Sequence, residues 1–314
     1  MPHIVTVTPG PAIDAWTSVK KIVPISKLRC GPLLRHPGGG GINVARVIKR
    51  LGGEALTIYP AGGAIGELLR SLVEEEGVAS RAILTSEETR EDFTVFEDAT
   101  RQEFRFVVPA AKLTEQEWQQ LIGAVVSATP APAFVVASGS LPPGVPADFF
   151  ALVARAAKAM GSKVVVDSSG PALKAALREG VHLIKPSLRE FHELTGVVSE
   201  DDDALADAGR DLIAQGQVEI VALSMGSKGG LLITADCALR SEGLAIEPAS
   251  AVGAGDSFLA AIIWSLARQD PLETALRYGI AAGSAALLHP GTELARLDDI
   301  SRLMPQTSVH RIGL

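Results

Sequence analysis

The chain has 314 residues, of which 47% are hydrophobic and 21% are charged, and its formal net charge is −7. This length and composition suffice for a sizeable apolar core, in one large domain or two smaller ones. The negative charge excludes a generally basic surface for nucleic acid, so an anionic ligand would have to be held by local cations.

The cysteines and the first residues give no sign of a metal site or of a secreted protein. Cys30 and Cys237 match no metal-binding spacing, which favours buried or incidental thiols. The strand-like HIVTVT follows Met1 without the basic and apolar regions of a signal peptide. No uncharged apolar run reaches the roughly 18 residues of a membrane span. We therefore expect a cytoplasmic protein with neither a membrane nor a nucleic-acid partner.

The first third of the chain alternates strand-like and helix-like segments. IVTVT predicts a first strand, and residues 17–36 are β-leaning and interrupted by proline. A helix is expected from Asn43 to Leu51, followed by the strand EALTIY, a helix in GGAIGELLRSLVEEEG and the strand VASRAIL. Residues 90–108 predict a hairpin, because two alternating runs flank EDATRQ.

From residue 114 onward the β–α alternation is regular. Thr114 and Glu117 form a capping box before the helix TEQEWQQLIGAVVSA. The later strands are expected in AFVVAS, KVVVDS, HLIKPS, EIVALSMG and GGLLITA, and a long helix begins at Ala254. The sequence thus predicts one α/β domain over residues 1–314, with excursions at about 14–36 and 78–108 that leave the main sheet as a small β lid.

The glycine-rich segments exclude several nucleotide-binding motifs. The dinucleotide pattern G-x-G-x-x-G fails at the four-glycine run, and neither a P-loop nor a protein-kinase motif is present. Residues 249–267, ASAVGAGDSFLAAIIWSLA, instead place Gly253, Ala254 and Gly255 before a long helix. Small residues there let backbone amides at a helix N-terminus point at an anion.

Asp256 lies in the first turn of that helix. A carboxylate repels phosphate, so its presence in an anion pocket is explained if it accepts a proton. This favours a general base for a hydroxyl that attacks a phosphoryl group. An ordinary helix cap after a glycine turn is the alternative.

These motifs resemble the signatures of the ribokinase-like (phosphofructokinase B) family of carbohydrate kinases. The likeness covers essentially the whole chain, and it is closest to the minor, B-type ATP-dependent 6-phosphofructokinases. It rests on PGGGGINVARVIKRLGG, PAGGAIGELL, SGSLPPGV, VVDSSGPAL, KPSLREF, VGAGDS and AAGSAALL, in that order. The resemblance implies a Rossmann-like three-layer α/β/α ribokinase-like fold with a small β-sheet lid, and a homodimer formed through the lid.

The resemblance places the glycine run under a sugar. Without a Cβ, Gly38, Gly39 and Gly40 let backbone amides approach the ring, and Asn43 can both donate to and accept from a hydroxyl. A tight strand-to-helix turn is a compatible explanation. Asp14 matches the family's carboxylate that binds two sugar hydroxyls, although a lone aspartate of this kind is normally a turn former.

The resemblance also implies contacts with the substrate's own phosphate. Four residues match substrate-contacting positions of the phosphofructokinase subgroup: Lys27, Arg90, Arg105 and Ser138. Strand alternation leaves Arg105 free for phosphate if the flanking Phe104 and Phe106 pack against apolar neighbours. Any one of the three cations Lys27, Arg90 and Arg105 would by itself be interpreted as an exposed surface charge.

Two acidic residues depart from the subgroup's pattern. Asp92 stands where an uncharged amide is usual, with Glu91 beside it. Both would be unfavourable near a bisphosphate product if they point inward, and they are tolerable if they face solvent. The departure leaves fructose 6-phosphate, fructose 1-phosphate and tagatose 6-phosphate open as substrates.

The nucleotide and metal positions follow from the resemblance alone. Lys185, Ser187 and Glu190 match an N-x-x-E element, with Ser187 in place of Asn and with Glu190 organising water around Mg²⁺. Ser224, Gly226 and Gly229 resemble a loop that passes the ATP, although a plain strand and glycine turn would look the same. A K⁺ site is implied near four residues, with His289 in place of the family's Asn: Ser250, Val252, Ala286 and Gly291.

We therefore expect ATP-dependent phosphorylation of fructose 6-phosphate to fructose 1,6-bisphosphate, a step of glycolysis. Asp256 takes the proton, and the amides from Gly253 to Asp256 hold the charge. A 1-phosphofructokinase or a tagatose-6-phosphate kinase would use the same parts. A non-catalytic sugar-phosphate sensor is disfavoured, because a binder has no need of Asp256, Gly255 and Glu190.

Overall fold

A computed structural model describes residues 3–313. Fourteen strands are defined: β1 Ile4–Val7, β2 Ala12–Val19, β3 Leu34–Gly38, β4 Ala55–Ala61, β5 Ala79–Leu84, β6 Arg90–Glu97, β7 Gln102–Phe106, β8 Phe134–Ser138, β9 Lys163–Asp167, β10 Val181–Ile184, β11 Val218–Ser224, β12 Gly230–Ile233, β13 Ala238–Ser241 and β14 His310–Ile312. The α-helices are α1 Gly40–Arg50, α2 Gly63–Glu75, α3 Glu115–Val126, α4 Phe149–Ala159, α5 Gly170–Arg178, α6 Leu188–Thr195, α7 Asp202–Ala214, α8 Ala254–Ala267, α9 Leu272–Ala286 and α10 Leu297–Leu303.

Ten strands form one large sheet in the order β14-β13-β12-β11-β10-β9-β8-β1-β4-β5. From β5 to β11 neighbouring strands run parallel, and β12 to β14 continue the sheet in antiparallel fashion. The central strands β1 and β8 are buried along their whole length, as expected for parallel strands covered on both faces.

Helices cover both faces of this sheet, and the core is accordingly divided in two. One apolar cluster joins α1, α2, α8, α9 and α10 to the sheet, and the other joins α3 to α7 to its opposite face. The predicted three-layer α/β/α fold is therefore confirmed. No helix within residues 3–313 is both long enough and apolar enough to cross a lipid bilayer.

A second sheet of four strands, in the order β3-β2-β6-β7, lies outside the large one, and we call it the small sheet. Of the excursion expected at about 78–108, only β6 and β7 belong to it. Residues 79–84 form β5, which pairs with β4 at the edge of the large sheet, because α2 returns the chain parallel to β4. The short strands β13 and β14 were not predicted, since ALRS and HRI carry no hydrophobic period.

Helix α1 begins at Gly40, earlier than the expected Asn43. Its first residues pack against β1 so closely that a Cβ on Gly41 would lie 2.6 Å from Thr8 Oγ1 and 3.1 Å from the Val7 carbonyl oxygen. Glycine is a poor helix former, and its place in the helix here follows from this close approach.

Helix α1 also carries the fully buried Arg46 into the interior. Its Nε donates to Glu76 Oε1 at 3.0 Å, and Nη1 donates to the carbonyl oxygens of Pro37 and Thr292, each at 3.0 Å. Burial by itself raises the pKa of Glu76, but Arg46 and Arg50 outweigh it and hold that pKa below its usual value. Through these contacts, Arg46 of α1 is joined to the end of α2, to β3 and to the segment around residue 292.

We expect Glu76→Gln to lower the free energy of unfolding by about 3 kcal/mol, because it leaves a buried guanidinium without its counter-charge. Chemical denaturation at neutral pH measures this. The difference from the unmodified chain should vanish as pH falls through the lowered pKa of Glu76, since protonation removes the same charge.

Glu67→Gln on the same helix is the matched control. Glu67 pairs with Arg70 at 2.8 Å, but both side chains are exposed, so the change should be below about 0.5 kcal/mol. Equal effects of the two substitutions would show that the buried pair does not stabilise the fold.

Candidate active site

A cleft of about 360 Å³ lies at the carboxyl ends of the parallel strands, between the large sheet and the small sheet. Its walls include ten of the predicted site residues: Asp14, Gly39, Gly40, Asn43, Arg90, Arg105, Ser138, Glu190, Gly253 and Asp256. Val252, predicted near a cation, is also part of the wall. This edge is where parallel α/β sheets bind their ligands.

Asp256 lies at the start of α8, and its Oδ2 accepts a hydrogen bond from Asn43 Nδ2 at 2.7 Å. Burial raises the pKa of Asp256 to about 6, with help from the nearby charge of Asp167 and against the opposing effect of Asn43 and Lys185. A carboxylate with this pKa is better matched to accept a proton near neutral pH than an ordinary aspartate.

The alternative interpretation of Asp256 as a helix cap is not supported by the geometry. Gly253 is the N-cap residue of α8, and no side chain caps this helix. Gly253 has a φ of 79°, and a Cβ there would clash with Leu294 Cδ2. Since the first amides of a helix have no partner within it, those of Ala254 and Gly255 can bind an anion beside Asp256.

Asp167 is a functional candidate that the sequence reasoning missed. It is the last residue of β9, and it lies 3.1 Å from Lys185 Nζ while its other oxygen accepts from Ser138 Oγ at 3.4 Å. Burial lowers the pKa of Lys185, but Asp167 and Asp256 more than offset this and keep the ammonium charged. The signal that could have found it is an acidic residue at the carboxyl end of an otherwise apolar predicted strand, KVVVDS.

Asp14 also lines the cleft, and its Oδ2 accepts from Thr292 Oγ1 at 2.8 Å. Burial raises the pKa of Asp14, against the effect of this hydrogen bond and of Arg105. A Cβ on Gly38 would clash with the Asp14 carboxylate, and one on Gly40 would clash with Ser138 Oγ. The protein's own packing thus demands glycine here, which supports the tight-turn explanation alongside ligand approach.

Of the three cations predicted to contact phosphate, two line the cleft and one does not. Arg90, whose Nη1 donates to the Val108 carbonyl at 2.9 Å, and the exposed Arg105 both line the cleft. Lys27 lies exposed in the connection between β2 and β3 and is not part of the cleft wall. Phe104 and Phe106 are 37% and 56% exposed, so the expected apolar packing of these rings is absent within the described chain.

Glu91 and Asp92, the two acidic residues that depart from the subgroup's pattern, lie on opposite faces of β6, because successive side chains on a strand alternate. Glu91 points away from the cleft and pairs with Arg35 at 2.7 Å. Asp92 is buried in the cleft wall, so the expectation that it could face solvent is wrong. It accepts from the Val108 amide at 3.1 Å and lies 3.7 Å from Arg90.

The predicted nucleotide residues lie along the same sheet edge, outside the cleft itself. Ser187 caps α6 and forms a capping box with Glu190, whose Oε2 accepts from the Ser187 amide at 2.9 Å. Ser224 is the last residue of β11, and its backbone forms an isolated parallel β-bridge with Ser187. Gly226 and Gly229 have φ values of 59° and 92°, and a Cβ on Gly229 would clash with the Ser241 carbonyl, so a tight turn alone explains that glycine.

Within residues 3–313, no three His, Cys, Asp or Glu side chains are grouped so that they could hold a metal ion by themselves. Glu190 and Asp167 nevertheless both present carboxylates to the cleft. Mg²⁺ is commonly bound by one or two carboxylates together with phosphates and water, so this pair suits a metal that arrives with a nucleotide.

The residues expected near K⁺ lie in two segments, one just before α8 and one at and after the end of α9. Ser250 Oγ accepts from the Val252 amide at 3.2 Å, and Gly291 has a φ of 61° against the Trp16 side chain. Ala286 is the buried last residue of α9. The His289 ring is engaged elsewhere, because Nε2 lies 2.7 Å from Asp299 Oδ2.

Comparison with known proteins identifies relatives over nearly the full length. The model of the pfkB family of carbohydrate kinases matches residues 8–299. ATP-dependent 6-phosphofructokinase isozyme 2 of Mycobacterium tuberculosis is 42% identical over 301 residues, covering 96% of this chain and 88% of that protein. The Escherichia coli protein of the same name is 39% identical, covering 96% and 98%. The 1-phosphofructokinase of Bacillus subtilis is 28% identical, covering 98% and 100%.

The fold of the chain is also similar to that of solved phosphofructokinase structures. Phosphofructokinase-2 from Escherichia coli in complex with substrates and products superposes with a TM-score of 0.93 at 39% identity, over 97% of this chain and 99% of that one. The same protein in complex with potassium gives a TM-score of 0.92, over 98% and 99%.

We expect the Asp256 carboxyl to titrate near pH 6, and Asn43→Leu to raise its pKa further, because the substitution removes a hydrogen bond to the charged form. Carbon-13 NMR of the aspartate side chains as a function of pH measures both values, with the resonance assigned from its loss in Asp256→Asn. Titration near pH 4 would contradict the assignment of a perturbed group.

Proposed function

The chain belongs to the pfkB family of carbohydrate kinases, and from this we propose that it transfers the γ-phosphoryl group of ATP to fructose 6-phosphate, yielding fructose 1,6-bisphosphate. The observation that carries the proposal is the shared cleft. There, Asp256 with its raised pKa lies beside the start of α8, and Asp14, Arg90 and Arg105 line the rest of the wall.

The reaction needs little covalent chemistry from the protein. The C1 hydroxyl oxygen forms a bond to the γ-phosphorus while the bond from that phosphorus to the β–γ bridging oxygen breaks, and ADP leaves. Asp256 accepts the hydroxyl proton, and the amides of Ala254 and Gly255 stabilise the charge on the transferred group. Mg²⁺, when bound with ATP, neutralises phosphate charge, and Asp167 and Glu190 would hold it, Glu190 through water.

The remaining cleft residues position the sugar phosphate. Asp14 has one oxygen fixed by Thr292 and accepts sugar hydroxyls, and Asn43 is held between Arg46 and Asp256 beside the glycine turn. Arg90 and Arg105 attract the substrate's phosphate by charge-assisted hydrogen bonds. The higher identity to 6-phosphofructokinases than to a 1-phosphofructokinase favours fructose 6-phosphate over fructose 1-phosphate.

Activity with a panel of sugar phosphates tests the proposal directly. We expect ATP-dependent ADP release with fructose 6-phosphate to exceed that with fructose 1-phosphate and tagatose 6-phosphate. Asp256→Asn should lower kcat by about 10²–10⁴-fold while fructose 6-phosphate still binds, because only the proton acceptor is lost.

Asp236→Asn provides the matched control, since Asp236 is an exposed residue in the turn between β12 and β13. It should leave kcat unchanged. If Asp256→Asn retains kcat within a few-fold, Asp256 is not the base. If the unmodified chain binds sugar phosphates without turnover, the sensor alternative replaces the kinase.

We also propose that the chain forms a homodimer through the outer face of the small sheet. Phe93, Phe104 and Phe106 are cross-strand neighbours on that face, and each is more than a third exposed. Adjacent exposed aromatic rings of this kind mark protein contact surfaces. A second copy seated there would also explain Lys27, which lies outside its own chain's cleft and would contribute to the partner's.

Phe106→Lys should shift the chain from dimer to monomer in sedimentation velocity, because it buries a charge in an apolar contact. Val126→Lys, which changes an exposed apolar residue at the end of α3, should leave the dimer intact. A dimer that survives Phe106→Lys unchanged would place the contact elsewhere.

A K⁺ requirement and a cytoplasmic location complete the proposal. The potassium complex of the E. coli relative supports the first. The second follows from the substrates, since ATP and sugar phosphates are intracellular metabolites.

A further inference from the structure

One charged group in the cleft has no part in the mechanism above. Asp92 is 2% exposed and lies directly across from Asp14 in the pairing of β2 with β6. One of its oxygens accepts from the Val108 amide, and the other faces Arg90 at 3.7 Å. The carboxylate is therefore fixed within the wall that receives the substrate's phosphate.

This arrangement weakens the attraction of that wall for phosphate. Arg90 already donates to the Val108 carbonyl and has Asp92 as a close counter-charge, so only part of its charge acts on a ligand. Arg105 attracts phosphate, while Asp92 and Asp14 repel it from the same cleft. Like charges in a partly desolvated site interact more strongly than they would in water.

The same carboxylate favours a neutral sugar. A terminal hydroxyl can donate to an Asp92 oxygen, whereas a phosphate has no proton to donate there when fully ionised. Hydrogen bonds to a charged acceptor are stronger than those to a neutral one. Asp92 thus offers the hydroxyl of an unphosphorylated sugar an acceptor that a phosphate cannot use.

We propose that Asp92 determines the sugar specificity of this enzyme by giving it a second class of substrate, the unphosphorylated ketohexose. The inference rests on the proposed kinase function. The transfer is the same one: the C1 hydroxyl oxygen bonds to the γ-phosphorus of ATP, the bond to the bridging oxygen breaks, ADP leaves and Asp256 takes the proton. The product is the ketohexose 1-phosphate.

The test compares kcat/KM for fructose 6-phosphate with kcat/KM for D-fructose in the unmodified enzyme and in Asp92→Asn. Asparagine keeps the shape of aspartate and can still accept from the Val108 amide. We expect kcat/KM for fructose 6-phosphate divided by kcat/KM for D-fructose to be about tenfold higher, or more, in Asp92→Asn than in the unmodified enzyme. KM for fructose 6-phosphate should fall, and turnover of D-fructose should become weaker.

Glu91→Gln is the control, because it removes the same charge from the neighbouring residue on the opposite face of β6, where Glu91 pairs with Arg35. Both kcat/KM values should stay within about twofold, since an exposed charge outside the cleft is screened by solvent. A similar change of the ratio in Glu91→Gln would mean that net charge, and not the position of Asp92, sets specificity.

Two results would overturn the proposal. One is an unchanged or lowered ratio in Asp92→Asn, which would make Asp92 a support for Arg90. The other is an unmodified enzyme with no D-fructose turnover above that of Asp256→Asn, and this measurement needs no folded Asp92 variant. Absence of turnover with fructose 6-phosphate as well would instead reject the proposed function itself.

Discussion

The buried guanidinium of Arg46 is the interaction on which both ends of the cleft depend. A charge with no exposed surface is tolerated only when its hydrogen-bonding groups are satisfied, and Glu76, Pro37, Thr292 and Asn43 satisfy those of Arg46. Thr292 in turn donates to Asp14, while Asn43 donates to Asp256. Arg46 therefore helps to orient both Asp14, proposed to bind the sugar, and Asp256, proposed to take its proton.

Burial gives the cleft its chemistry as well as its shape. The same desolvation raises the pKa of Asp14 and of Asp256, but their neighbours differ. Around Asp14, Thr292, Arg105 and Arg46 favour the charged form, while the nearby charge of Asp92 opposes it. Asp256 has the repulsion of Asp167 in addition to burial, which leaves it a better proton acceptor near neutral pH. The surroundings of these two buried aspartates thus differ in a way that suits the two roles proposed for them.

Hydrogen bonds join the small sheet to the turn that precedes α8. Trp16 of β2 donates to Glu103 of β7 at 3.1 Å, and the second oxygen of Glu103 accepts from Ser250 Oγ at 3.2 Å. Ser250 also holds the Val252 amide just before Gly253. Movement of the small sheet relative to the large one would therefore be transmitted to the start of α8. The strands that carry Arg90, Asp92 and Arg105 thus share a hydrogen-bonded path with the proposed catalytic turn.

The sequence by itself determined the α/β class of the domain, the glycine turn at α1 and the position of Asp256 at the start of α8. These follow from local rules: hydrophobic periodicity, glycine conformation and the free amides at a helix N-terminus. The family resemblance added the layered arrangement of the fold and the predictions of which residues bind the sugar and the nucleotide. It could not add Asp167, because the role of that residue arises from Lys185 and Ser138 on other elements.

Only the tertiary structure decided which way Glu91 and Asp92 point, where β5 belongs and that Lys27 lies outside its own cleft. Successive side chains on a strand face opposite ways, but which of them meets the cleft depends on the pairing of β6 with β2, 78 residues earlier in the sequence. The raised pKa of Asp256 has the same origin. Desolvation and the charge of Asp167 come from segments that only folding brings together, so no local pattern encodes them.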